Sequence, residues 1–280
     1  MSTVHASLPE AGRVRSWIDF YLTSMRTQIS SQFQYRAAAY MYLLGMVAEP
    51  VIYLVVWTTI AEDSGGTVGG LTTGELAAYY IVWTFVRNTN LVFTPFGWEW
   101  RIRDGELSGW LLRPLHPIHY DIAGFAGSKI PWLLFYLPIG VVLTLLFDPT
   151  FDVRAAEIAV FAVAIWGAYL IRSFNQGALG LVCFWTTRVS ALFSLYIMVE
   201  LLLSGRLVPM TLMPEWVQTL AWFLPFQWTF FFPIETLVGD YSNTELLRGL
   251  GMQVFWILAG IAIFSLVWRH AVRHYTAVNN

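Results

Sequence analysis

Two acids and two bases, Glu49, Arg87, Arg172 and Glu200, sit inside long apolar runs of a 280-residue chain that is only 12% charged. Isolated at the centre of a bilayer, each would cost roughly 2.5–3.5 kcal/mol. Each lies about half-way along its run, so at about 1.5 Å of rise per residue the four share one depth near the midplane. Two acids and two bases at one level predict mutual ion pairs, within the chain or across a dimer. The pairs either hold helices in register, which fits a layer of zero summed charge, or line a path or a subunit interface. Asn88, Asn175 and Gln176 lie close enough in sequence to join them.

Other side chains capable of chemistry form no catalytic pattern. The only lysine, Lys129, stands in "GFAGSKIPW", which lacks the glycine directly before the lysine of a phosphate-cradling loop. Neither HExxH nor GxSxG occurs. Five histidines are present. His116 and His119 have no carboxylate in register, and His270 and His274 stand beside Arg269 and Arg273, a pattern of solvated or headgroup-facing surface. Cys183 is the single cysteine, so neither an internal disulfide nor a CxxC site exists. The net charge of −2 points to no nucleic acid or other polyanion as partner.

A second cluster is cytoplasmic in composition. "FGWEWRIRDGELSGWLLRPLHPI" carries Arg101, Arg103 and Arg113 among Trp98, Ile102, Leu107, Trp110 and Leu111, and Pro114 and Pro117 end it. Gly105 and Gly109 make it a poor autonomous helix, so it needs something to dock on. It either meets lipid headgroups through its arginines or docks on a soluble subunit, with Leu107, Trp110 and Leu111 as anchors.

The elements that must position these residues are membrane helices. The chain is 57% hydrophobic with a mean hydropathy of +0.57, too apolar for a soluble surface. Six runs are long enough to cross a bilayer: 37–61, 76–96, 130–147, 158–184, 189–208 and 246–268. The third is interrupted by Pro131 and Pro138. The polar N-terminus does not read as a cleaved signal peptide. Arginines concentrate before the first run, around the 98–118 stretch and in the C-terminal tail, which places both termini and that stretch in the cytoplasm. Arg206 and Arg248 fall on the other side. Residues 12–35 predict an interfacial amphipathic helix, with Trp17, Ile18, Tyr21, Leu22, Met25, Ile29 and Phe33 on one face. Residues 209–238 are apolar but cut by Pro209, Pro214, Pro225 and Pro233. They predict two re-entrant helices at the outer leaflet rather than an irregular seventh span.

"IRDGELSGWLLRPLHPI" resembles the cytoplasmic coupling segment of permease subunits of the type-2 ABC exporter family, with its IxxGxLxxxLLRPLxP pattern. "PEWVQTLAWFLPFQWTFFFPIETLVG" resembles the same family's PxWxxxxxxxxPFxxxxxxPxxxLxG segment before the last span. The resemblance covers nearly the whole chain in order. Arg206 departs from it, at a position expected to be apolar or small. The resemblance implies an all-α integral membrane subunit of an ATP-driven exporter or flippase in a bacterial plasma membrane. It implies that ATP and Mg are bound by a separate soluble ATPase present in two copies, with no cofactor in this chain and no enzymatic activity of its own. It also implies a second permease, a different chain or a second copy, and transmission through Arg101, Arg103, Leu107, Trp110, Leu111 and Arg113. Paired bundles would rock as rigid bodies to give alternating access. Aromatic-rich spans suggest a lipophilic or amphipathic substrate. The rival class is an ATP-independent secondary transporter or a membrane-embedded enzyme. The former would show inverted repeats and broken helices; neither is visible, although Pro50 beside Glu49 could unwind the first span.

Overall fold

A computed structural model describes residues 10–34, 36–92, 94–186 and 188–275. His5 and Tyr35 lie outside the described residues, as do the side chains of Arg13 and Arg36. Helices dominate: α1 (Glu10–Gln34), α2 (Arg36–Asp63), α3 (Thr73–Thr89), α4 (Thr94–Arg103), α5 (Leu107–Leu111), α6 (Pro117–Phe147), α7 (Ala155–Gly180), α8 (Ser190–Leu203), α9 (Glu215–Trp222), α10 (Phe231–Val238) and α11 (Asn243–Ala271). A two-residue β-hairpin, β1 (Thr67–Val68) and β2 (Leu71–Thr72), joins α2 to α3.

Local chemistry sets the boundaries. Thr72 and Glu75 form a reciprocal capping box that opens α3, and Ser242 with Glu245 does the same for α11. His116 caps α6, whose first residue is Pro117, where a missing N–H costs nothing. Among the described residues, three helical stretches are long and apolar enough to cross a membrane: Pro117–Phe147, Ala155–Phe184 and Asn243–His274.

Four expectations are corrected. α6 runs unbroken through Pro131 and Pro138, and begins well before position 130. Buried neighbours can re-satisfy the backbone groups that proline frees. α2 is likewise continuous through Pro50. The run read as 76–96 is divided: α3 stops at Thr89, and α4 starts at Thr94 after a non-helical break. The 98–118 stretch is not one helix. α4 ends at Arg103, Gly105 turns the chain with φ +73°, and the short α5 follows.

Packing is pairwise. α7 lies against α11, α4 and α10, α3 against α2 and α6, and α1 along α6. On α1, Trp17 meets His119, Phe20 meets Tyr120, and Phe33 meets Phe135, while Val14, Ile18 and Leu22 stay exposed. Gly127 of α6 permits the closest approach: a Cβ there would stand 2.6–2.7 Å from the Met25 backbone of α1. Gly127→Val is therefore expected to cost about 1–3 kcal/mol by overpacking. It should also expose Arg26 to trypsin, and unchanged cleavage and thermal midpoint would contradict the α1–α6 seat.

Candidate functional site

The break between α3 and α4 organises the interior. A chain that leaves its helix between packed neighbours exposes carbonyls that must find donors. Here three polar side chains from other helices supply them. Lys129 of α6 donates to the Thr89 carbonyl and Arg172 of α7 to that of Asn90. Gln176, with its amide nitrogen turned toward Val92, donates to that carbonyl at 3.0 Å and accepts from Arg172 Nη2 at 3.1 Å. Asn90 itself donates to the Thr229 carbonyl at 2.6 Å, which ties the break to the turn before α10.

The same arginine makes the central ion pair. Arg172 meets Glu200 of α8 through Nε–Oε1 and Nη2–Oε2, both 3.0 Å. Both side chains are buried. Arg87 of α3 meets Glu49 of α2 at 2.5 Å. Arg206, the residue that departs from the family pattern, reaches Glu200 at 3.7 Å and rests 5.3 Å from the Phe230 ring centre. Its presence corrects the zero-charge reading: three guanidinium groups face two carboxylates. Of the three amides, Gln176 joins this cluster. The buried Asn88 carbonyl oxygen has no partner among the described residues. Asn175 lies beside Tyr196.

The 98–118 stretch is folded onto the chain's own core. Trp98, Ile102 and Leu107 pack with Leu181 and Phe264. Leu107 is fully buried, so it cannot anchor a partner. Arg101 is likewise committed inside, paired bidentately with Asp121 at 2.9 and 2.5 Å. Trp110 touches two cations: its ring lies 4.4 Å from the Arg101 guanidinium and 3.9 Å from that of Arg113. Arg103 pairs with Glu99 at 3.2 Å along α4. Tyr275 closes the turn, accepting from the Ser108 N–H at 3.1 Å and donating to the Gly105 carbonyl at 3.2 Å. What faces outward is a short ridge of Ser108, Gly109, Leu111, Leu112 and Arg113, with Leu112 89% exposed. Leu112 was not among the residues singled out from sequence. Its neighbour in the LLRP motif was, and only the helix phase separates them.

His116 is enclosed by Trp268, Trp98 and Phe264, with 4.3 Å between its ring centre and that of Trp268. Burial pushes its imidazole down to about 4. His119 accepts from or donates to Tyr21 at 2.8 Å. Both are structural, and no group of residues suited to a metal ion occurs among the described residues.

A cavity of about 650 Å³ lies between α9, α10 and the start of α11, with Trp222, Trp228, Phe231, Glu235 and Arg248 in its walls. Burial pushes the Glu235 carboxyl up to about 7. The walls combine six aromatic rings with polar side chains, Glu245 and Arg248 among them.

Residues 47–278 match a protein-family model described as "ABC-2 family transporter protein". No curated protein matches the chain.

Proposed function

Because the chain belongs to the ABC-2 transporter family, we propose that this multi-pass permease is the membrane half of an ATP-driven exporter or flippase. The observation that carries the reading is the outward ridge 108–113, which lies between α4 and α6 and is tied by Tyr275. A soluble ATPase, two copies per complex, would seat this ridge and supply ATP and Mg from its own residues. Its closure would push on α4 and α6 together. α4 is packed on α7, and α6 on α3. Six spans, with residues 209–238 re-entrant and both termini cytoplasmic, put the ridge on the ATPase side of a bacterial plasma membrane. A second permease completes the path. The aromatic cavity between α9, α10 and α11 suits an amphipathic cargo leaving on the outer side.

The test is purification of the tagged full chain from its native host. A soluble ATPase and a second permease should accompany it in equal amounts, and vesicles bearing the complex should hydrolyse ATP. Recovery of the chain with no ATPase would refute the proposal.

A further inference from the structure

α8 has 14 residues and buries one of them, Glu200. Leu195 and Met198 are well exposed. Lipid can cover such a face, so apolar exposure alone decides nothing. Charge is more informative. Arg172 already holds both oxygens of Glu200. Arg206 adds a third guanidinium to the cluster, and it lies within electrostatic reach of Arg87 and Glu49. Arg206 Nε and Arg87 Nη1 are buried and have no hydrogen-bond partner among the described residues, and Ser204 Oγ between α8 and Arg206 has none either. Yet the cluster is not sealed: the side chains of Arg206, Arg87 and Glu49 are 14%, 20% and 34% exposed. A surplus cation with unmade donors, open at one side and surrounded by apolar helix faces, is costly in hydrocarbon. An acid from outside the chain would satisfy both the charge and the donors.

We propose that the second permease packs on α2 and α8 and contributes a carboxylate to Arg206 and Arg87, completing this cluster. The proposal rests on the paired-permease reading above. A second copy meeting this face through its own equivalent face would bring a like surplus of positive charge. The complement is therefore a chain of different sequence with an acid at this depth.

The sign of one substitution in two settings tests this. In the isolated chain, Arg206→Gln removes a surplus cation and leaves Glu200 held by Arg172, so the thermal midpoint should stay the same or rise. In the permease pair the same change strips a partner from a buried acid. It should weaken pairing at least about tenfold, with Arg206→Lys keeping most of the affinity. An equal loss of midpoint in the isolated chain would make Arg206 a merely internal support and overturn the proposal. So would pairing indifferent to Arg206→Gln, or a stable homodimer of the isolated chain. If no second permease accompanies the chain at all, the paired reading and this inference fail together. A pair that forms but ignores Arg206 sinks only the charge assignment.

Discussion

Arg172→Ala is expected to be the most damaging single substitution, at about 3–5 kcal/mol, because it leaves a buried carboxylate unpaired. Beside the Gln176 oxygen, which gives up its Arg172 donor, the loss has two main parts. Glu200 is buried on α8 and loses its bidentate partner, keeping the 3.7 Å contact to Arg206 as its remaining ion pair. The Asn90 carbonyl, in the break between α3 and α4, loses its donor as well. Adding Glu200→Gln should restore the first part and not the second. The double variant should therefore recover part of the thermal midpoint, with a coupling energy well outside the few tenths of a kcal/mol seen for independent sites. Glu49→Gln should behave differently. Glu49 pairs with Arg87 rather than with Arg172, so its combination with Arg172→Ala should be close to additive. If Arg172→Ala and Glu200→Gln prove additive in purified protein, the ion pair is not what holds α8 to α7.

That cluster shows where sequence reading succeeds and where it stops. Equal depth of Glu49, Arg87, Arg172 and Glu200 follows from helical rise alone, and the helices bring them together as two pairs. Periodicity cannot show which acid meets which base, because that depends on helix order and rotation. Nor does it reveal the break after Thr89. The run 76–96 stays apolar through Leu91, Val92 and Phe93, and without a glycine or proline at the break itself nothing marks it. The signal that could have found it lies elsewhere, in Lys129, Arg172 and Gln176, three donors in apolar helices with fewer acids to meet them. The opposite error occurs at Pro50, Pro131 and Pro138, which punctuate the sequence but leave α2 and α6 continuous. In the 98–118 stretch, composition does not reveal which side chains turn inward. Leu107 and Arg101 look like a docking anchor and a docking cation. Gly105 turns the chain between them, so Leu107 points back into the core and Arg101 reaches Asp121 one helix away.

The orientation of that segment alters what mutagenesis should find. With Leu107 and Arg101 committed inside, a partner can reach Leu111, Leu112 and Arg113 and one side of Trp110. An interface of this kind draws most of its energy from a few apolar anchors that become fully desolvated, while rim charges matter less. Leu112, at 89% exposure, has the most surface to lose. Leu112→Asp should therefore release the ATPase from the complex, weakening its retention by at least about a hundredfold, in the range of a strong anchor. The permease itself should keep its thermal midpoint, since Leu112 is 89% exposed and joins no hydrophobic cluster among the described residues. Arg113→Ala should be milder and salt-sensitive, as expected for an exposed charge. Trp110→Ala should combine both effects: it removes the ring on which Arg101 and Arg113 rest, so midpoint and ATPase retention should fall together. A segment that touched only lipid headgroups would give the reverse order, with Arg113→Ala dominant and Leu112→Asp silent. Retention of the ATPase by the three variants, compared at low and high salt, distinguishes the two. Full retention by Leu112→Asp would remove this ridge from the transmission path.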